Sequence, residues 1–224
     1  MQINGKNNTV ATGGNLTLSL NVSGDSNVIE IGDARVPSTL SLYINGDNNL
    51  VGIDDFYQIK GLNISCGNHV KANRTALRIG RQFSIEPGCS FLLYNSGNSL
   101  TIGADCLFSN GITIRCGESP HLIFDSQTGE YLDVSAGVVI GDHVWIGERV
   151  YINKRAAIPA ECIVAACGVV TKKFEEENCV IGGNPARIVK KNVHWIRNSD
   201  FLAEGSVYRR KFDLHKLSQD AKVR

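Results

Sequence analysis

The sequence predicts an all-β fold, a triangular β-solenoid, from two interlocked patterns. Large aliphatic residues recur at every sixth position along one unbroken stretch: Ile140, Ile146, Ile152, Ile158, Val164 and Val170. A smaller residue follows each of the first five by four positions: Val144, Val150, Ala156, Cys162 and Gly168. Neither a helix nor an ordinary strand has a period of six. Six residues instead make one side of a triangular coil, whose narrow interior takes large and small side chains in turn.

The N-terminal region repeats a looser version of this coil. The turn-forming segments INGKNNTV, VSGDSNVIEIGD and INGDNNLVGID begin at Ile3, Val22 and Ile44, roughly twenty residues apart. Three hexads complete one coil, so we interpret these segments as corners of successive coils. The intervening LTLSL and LSLYI alternate apolar and polar residues, which is typical of half-buried strands.

Two irregularities interrupt the hexads in the middle of the chain. The six-residue step links Phe91 back to Ile79, but eleven residues separate Phe91 from Ile102, which we interpret as one residue deleted at a corner near 95–98. The longer break lies between Ile114 and Ile140, where Gly, Pro and charged residues replace the pattern. It predicts a loop ejected over about 115–137, and loops held by a rigid scaffold commonly carry function.

The organisation predicted is one main domain and an appendage. Residues 1–191 form the solenoid, and residues 192–224 form a C-terminal cap with a basic tail that would cover the open sheet edge. From Arg187 onward there are ten Lys or Arg and four Asp or Glu. This tail either meets a phosphate-rich ligand or anionic polymer, or is simply solvated.

Composition excludes several classes of protein. A net charge of +1 argues against a nucleic-acid binder that works through bulk electrostatics. The seven cysteines include no CxxC pair, so we expect reduced thiols and no metal site, as in a cytoplasmic protein. No stretch reaches the roughly 18 apolar residues of a membrane span, and no signal peptide is evident at the N-terminus.

From about Ile102 to Lys191 the chain resembles the left-handed β-helix hexapeptide-repeat acyltransferases. The resemblance is strongest at IGDHVWIGERVYI, VVTK and VIGGNPARIV. Within that family, the loop with a single His and the ending EENCVIGGNPARIVKKNVHW are most similar to bacterial capsule O-acetyltransferases that act on sialic-acid polymers. The resemblance implies left-handed winding, acetyl-CoA as donor, and a homotrimer with active sites between neighbouring subunits.

His121, the only histidine of the ejected loop, is the candidate general base. A neutral imidazole with a pKa of about 6.5 suits removal of a proton from a sugar hydroxyl. In the family a proline often follows the loop His, whereas here Pro120 precedes it. An exposed histidine without a task is the alternative, and whether Glu118, Asp125 or neither orients the ring is left open. The other histidines are interpreted as structural or solvated: His69, His143, His194 and His215.

Trp145 and the last hexads supply the remaining candidates. The resemblance implies that Trp145 positions the substrate, and packing at a trimer interface is the alternative. Ala165 and Ala166 leave a backbone groove for the pantetheine arm of the donor, unless they only permit tight coil stacking. The other cofactor-binding candidates stand where they would meet the nucleotide end of coenzyme A: Thr171, Lys172, Arg187 and Lys190.

The leading hypothesis is an acetyl-CoA-dependent O-acetyltransferase that acts on a sugar hydroxyl of a bacterial surface polysaccharide. Transfer would be direct, since no serine or cysteine lies in a nucleophile motif. One alternative is an acetyltransferase that uses the same donor but acts on a sugar nucleotide or a small molecule. Another is a non-catalytic scaffold protein. A γ-type carbonic anhydrase needs three zinc-binding histidines, which the spacing of His121 and His143 does not provide.

Overall fold

The computed structural model describes residues 1–132 and 136–220 and confirms the predicted all-β fold, a left-handed parallel β-helix of about 8 turns. Its strands are, in chain order, β1 (Gln2–Asn4), β2 (Thr9–Thr12), β3 (Leu16–Ser23), β4 (Val28–Ile31), β5 (Ser38–Asn45), β6 (Leu50–Ile53), β7 (Gln58–Cys66), β8 (Ala76–Ile79), β9 (Ser84–Ile85), β10 (Ser90–Leu93), β11 (Ser99–Ile102), β12 (Leu107–Phe108), β13 (Thr113–Arg115), β14 (Val138–Ile140), β15 (Trp145–Ile146), β16 (Tyr151–Asn153), β17 (Ala157–Ile158), β18 (Ile163–Val164), β19 (Val169–Val170), β20 (Val180–Gly182) and β21 (Arg187–Lys190).

Three faces make the prism. The first face contains β1, β3, β5, β7, β10, β13, β16 and β19, and the second contains β2, β4, β6, β8, β11, β14 and β17. The third contains β9, β12, β15, β18 and β20, while the long strands β3, β5 and β7 turn from the third face onto the first. The described pairs between coils are parallel, and β21 then pairs antiparallel with β20.

The hexad residues fill the interior as predicted. The aliphatic residues from Ile140 to Val170 are at most 1% exposed, and the smaller Val144, Ala156 and Cys162 are equally buried. Burying one such large side chain contributes about 1.5–3 kcal/mol. Because each coil contacts only its neighbours, the stability of the solenoid is approximately the sum of contributions from the individual coils and the contacts between them.

The corners use a backbone conformation that the sequence pattern did not reveal. Non-glycine residues with φ between +50° and +65° recur at a step of six: His143, Arg149, Arg155, Glu161 and Cys167. An L residue in this left-handed region costs about 1–2 kcal/mol. Hydrogen bonds between coils offset that cost, since the N–H of His143 donates to Ala104 O at 2.8 Å and that of Cys167 donates to Glu148 O at 2.8 Å.

The N-terminal corners have, in addition, a buried ladder of polar side chains. Asn49 Nδ2 donates to Asn27 Oδ1 at 2.9 Å, and Thr75 Oγ1 donates to Asn49 Oδ1 at 2.8 Å. All three side chains are at most 1% exposed, so each polar group needs this partner from the next coil. Beside them Gly24 has φ +141°, and a Cβ there would collide with the carbonyl of Gly46.

The predicted one-residue deletion near 95–98 is wrong. Ile79 pairs with Ile102, twenty-three residues later, whereas Ile140 pairs with Ile158, eighteen residues later. The corner between β10 and β11 therefore contains five residues more than a regular corner. The eleven positions from Phe91 to Ile102 are one hexad with five extra residues in its turn, and not two hexads that have lost a residue.

The predicted loop leaves the prism at the corner between the first and second faces. Leu100 pairs with Val138, thirty-eight residues later, so this coil is twenty residues longer than the next. The described part of the loop includes an antiparallel bridge between Phe124 and Tyr131, whose rings lie 5.4 Å apart. Residues 133–135 of the predicted loop lie outside the described residues.

The chain divides into two compact units, Met1–Val193 and His194–Arg224. The second unit contains a 3₁₀ turn at Ser199–Phe201 and the helix α1 at Val207–Asp220. Ser206 Oγ accepts the N–H of Arg209 at 3.1 Å, which caps the helix, and the His194 ring stacks on Tyr208 at 4.7 Å. Among the residues described, no helix combines the length and apolar character needed to cross a lipid bilayer.

Candidate active site

His121 lies at the base of the ejected loop. Its side chain is exposed, and its backbone N–H donates to Glu118 O at 3.0 Å. Ser119, one of the two residues between them, is hydrogen-bonded to two earlier coils: its N–H donates to Asn95 Oδ1 at 3.1 Å, and its carbonyl accepts from Asn68 Nδ2 at 3.1 Å. These bonds hold the backbone of His121 at the corner between the first and second faces. The Ser119–Pro120 peptide bond is cis.

Glu118, one of the two carboxylates considered for orienting His121, forms ion pairs with two cations. Arg115 Nε lies 3.3 Å from Glu118 Oε2, and Lys154 Nζ lies 3.5 Å from Glu118 Oε1. No spacing in the sequence indicates this association. Arg115 ends β13 before the loop, whereas Lys154 follows β16 on the next coil, so the pairing depends on the length of the loop.

Asp125, the other carboxylate, organises the loop itself. Its Oδ1 accepts the N–H groups of Gln127 at 2.9 Å and Thr128 at 2.7 Å. Hydrogen bonds from these backbone amides, with that of Thr128 the stronger, hold the pKa of Asp125 below its usual value. The charged carboxylate thus stabilises the turn between Phe124 and Tyr131.

Trp145 lies on the outer side of the third face, where it is 38% exposed. It is in register with Leu107 on one neighbouring coil and Ile163 on the other, and its Nε1 donates to Ser109 Oγ at 3.3 Å. A large aromatic ring therefore lies on the outer wall between two aliphatic neighbours and contacts Ser109.

A second side-chain pair borders the same face. His143 Nδ1 lies 2.7 Å from Asp105 Oδ2, which joins two consecutive coils at the corner between the second and third faces. Asp105 stands three positions after Ile102, and His143 stands three positions after Ile140. This shared hexad position is the sequence signal that could have paired them.

One chain does not bring His121 and Trp145 together. In a triangular cross-section each corner faces the middle of the opposite side, and the loop corner is the one opposite the third face. Two residues beyond Ser119 extend at most about 7 Å, so His121 remains near its own corner. A site that uses both side chains requires a second copy of the chain.

The small residues proposed for the donor groove stack at the corner between the third and first faces. A Cβ on Gly147 of the preceding coil would lie 2.7 Å from Ala166 N, and a Cβ on Gly182 of the following coil would lie 3.1 Å from Ala165 Cβ. Ala166 itself is exposed. The corner is therefore narrow and leaves backbone accessible, which suits close approach of an extended ligand.

The predicted phosphate-binding cations lie on the same final coils. Lys172 and Arg187 share the lining of a cleft of about 500 Å³ with Lys173 and Glu176. Arg187 is in register with Gly182, which places this cleft next to the alanine corner. Thr171 precedes Lys172 in the chain, and Lys190 ends β21; both are exposed.

The cysteines differ in exposure, and only Cys167 is exposed. Burial raises the pKa of the Cys66 thiol to about 11 and that of Cys116 to about 12. Such thiols stay protonated and are poor nucleophiles near neutral pH. Over residues 1–132 and 136–220, no three His, Cys, Asp or Glu side chains are grouped so that they could hold a metal ion.

No family model matches the chain, but individual relatives do. A polysialic acid O-acetyltransferase of Neisseria meningitidis is 32% identical over 179 residues, which is 80% of this chain and 79% of that protein. A polysialic acid O-acetyltransferase of Escherichia coli O1:K1 / APEC is 29% identical over 131 residues, and the chain spans only 41% of its length. The crystal structure of the polySia-specific acetyltransferase NeuO superposes with a TM-score of 0.74 at 25% identity and covers 96% of each chain.

Proposed function

The chain belongs to the family of the polysialic acid O-acetyltransferases, and from that premise we propose that it transfers the acetyl group of acetyl-CoA to a hydroxyl of a sialic-acid-containing capsular polysaccharide. The observation that carries the proposal is the 32% identity to the Neisseria meningitidis enzyme over 80% of the chain. Acetyl-CoA supplies an acetyl group already activated as a thioester. What the protein must add is a base, a binding groove and a fixed geometry.

His121 is the proposed general base. As the acetyl carbon bonds to the sugar oxygen and its bond to sulfur breaks, the imidazole takes the hydroxyl proton and then returns it to the departing thiolate. The three backbone contacts at Ser119 and His121 support this role, because a base must be held in place to be effective. Trp145 is proposed to form the wall against which the acceptor sugar lies.

The donor is proposed to bind along the corner of Ala165 and Ala166, with its phosphates toward Lys172 and Arg187. Ala166 is exposed, and the small side chains at this corner allow the extended pantetheine arm to approach the coil closely. Thr171 and Lys190 flank the cations and complete the proposed site. Since acetyl-CoA is made in the cytoplasm, we propose that the reaction takes place there.

A homotrimer is proposed as the active form. His121 and Trp145 of one chain lie on opposite sides of the prism, so the proposed chemistry requires a neighbouring subunit. Beside His121, the side chains of Leu122, Ile123 and Phe124 are 67%, 44% and 53% exposed. An exposed apolar group of this size favours a protein contact, and flat solenoid walls offer a symmetric partner.

The test is acetyl transfer by the purified protein. We expect release of free coenzyme A thiol from acetyl-CoA with polysialic acid as acceptor, and acetyl ester on the recovered polymer by NMR. Monomeric sialic acid, a sugar nucleotide and a galactoside serve as comparison acceptors. Absence of thiol release with every glycan would refute the transferase, and preference for the sugar nucleotide would refute the polymer as acceptor.

A further inference from the structure

We propose that Glu118 is a positioning residue for His121: its ion pairs with Arg115 and Lys154 fix the turn from which the imidazole projects. The inference rests on the proposed role of His121 as the base. It concerns the ion pairs of Glu118 with Arg115 and Lys154. The cluster of Arg115, Glu118 and Lys154 is called the loop clamp below.

The loop clamp spans the point at which the loop leaves the prism. Arg115 is the last residue of β13, and Lys154 follows β16, the strand stacked on β13 in the next coil. The carboxylate of Glu118 contacts both, at 3.3 Å and 3.5 Å. It therefore ties the first turn of the loop to the coil before it and to the coil after it.

Arg115 holds this turn by a second bond. Its Nε also donates to Gly117 O at 3.0 Å, and its guanidinium lies 5.4 Å from the centre of the Tyr94 ring. The arginine is thus fixed by a carboxylate, a carbonyl and an aromatic face. A guanidinium suits such a role because it is planar and presents several donors.

The loop clamp is partly buried, so solvent reaches its ion pairs less than it reaches a surface pair. The side chains of Arg115, Glu118 and Lys154 are 23%, 28% and 19% exposed. The pair between Lys60 and Glu86 is shorter, at 2.7 Å, but its side chains are 40% and 44% exposed. Solvent screening is therefore weaker at the clamp.

The clamp reaches His121 through the backbone. Glu118 O accepts the N–H of His121 at 3.0 Å, so a shift of Glu118 moves the residue that carries the base. The side chains that directly follow His121 are exposed: Leu122, Ile123 and Phe124. Glu118 lies outside the hexad core, so its loss should disturb the turn more than the solenoid.

The experiment compares E118Q with E86Q, a matched change in an ion pair remote from the loop. Glutamine keeps the size of the side chain and removes its charge. Acetyl transfer to polysialic acid and the KM for acetyl-CoA are measured in the native background and in H121A. Amide hydrogen exchange of residues 116–132 reports on the turn directly, and K154M tests the clamp from the other coil.

The expected result is a fall in kcat of up to about a hundredfold for E118Q, the loss that can follow when a reacting group is misplaced by about 1 Å. The KM of E118Q for acetyl-CoA and the kcat of E86Q should not change. Amide hydrogen exchange over residues 116–132 should accelerate in E118Q and K154M. In the H121A background, E118Q should have no further effect on turnover. Full activity of E118Q, or an equal fall in the H121A background, overturns the proposal. If H121A itself keeps full turnover, the base assignment is wrong and the positioning role falls with it, whereas failure of E118Q alone leaves the base intact.

Discussion

His143 Nδ1 and Asp105 Oδ2 form a contact of 2.7 Å that joins two consecutive coils beside the wall that carries Trp145. The imidazole is held at a corner where the backbone of His143 has φ +50°. A histidine paired with a carboxylate resembles the base and orienting acid of many hydrolases. Here the contact between His143 and Asp105 stabilises a corner with a left-handed backbone, so we interpret the pair as structural.

The first prediction separates this pair from the proposed base. His143→Asn should retain most of the turnover, because asparagine tolerates the left-handed backbone and the change removes only a stabilising contact worth about 1 kcal/mol. His121→Ala should lower kcat by about 10²–10⁴, the usual contribution of a general base. Steady-state kinetics of both variants and thermal unfolding of H143N check these outcomes. A loss in H143N as large as that in H121A would assign the base to the Asp105–His143 pair.

The second prediction concerns the two roles considered for Trp145. If the indole positions the acceptor, Trp145→Ala should raise the KM for polysialic acid and leave the sedimentation coefficient of the protein unchanged. Ser109→Ala is the matched control, since it removes the 3.3 Å contact to Nε1 and keeps the ring. Dissociation of the W145A protein into monomers in sedimentation velocity would favour interface packing instead.

The sequence predicted the solenoid because burial at hexad positions depends only on local spacing. Ile140, Ile146 and Ile152 lie inward at every step, whatever the length of the loops elsewhere. For the same reason the position of Trp145 on an outer wall could be predicted. These inferences need no knowledge of which coil lies above or below.

Contacts between coils could not be predicted in this way. Glu118, which lies in the loop outside the hexads, contacts Lys154 only because the loop of this coil is twenty residues longer than a regular corner. An error in one corner length, such as the misinterpreted gap before Ile102, shifts every such pair. Side-chain pairs across coils depend on all the intervening turns, whereas inward positions do not.

The third prediction addresses the cleft that contains Lys172 and Arg187. Replacing both by glutamate should weaken coenzyme A binding, because the cations would no longer neutralise its phosphates. The effect should be largest at low ionic strength, since exposed charges are screened by salt. Isothermal titration at two salt concentrations checks this. Lys6→Glu, an exposed change on the first coils, is the control, and equal weakening in both proteins would contradict the assignment of the cleft.

The fourth prediction uses cysteine reactivity to locate the donor. At pH 8 iodoacetamide should label one site per native chain, Cys167, which is exposed between Ala166 and Gly168. Burial raises the pKa of Cys179 to about 12, so this thiol stays protonated. The remaining cysteines are buried, which keeps the reagent from reaching them. Coenzyme A should slow the labelling of Cys167, because the proposed groove passes over that corner, whereas free adenine should not. Peptide mass spectrometry identifies the labelled residue, and a labelling rate that coenzyme A leaves unchanged at saturating concentration would exclude the donor from the corner of Ala165 and Ala166.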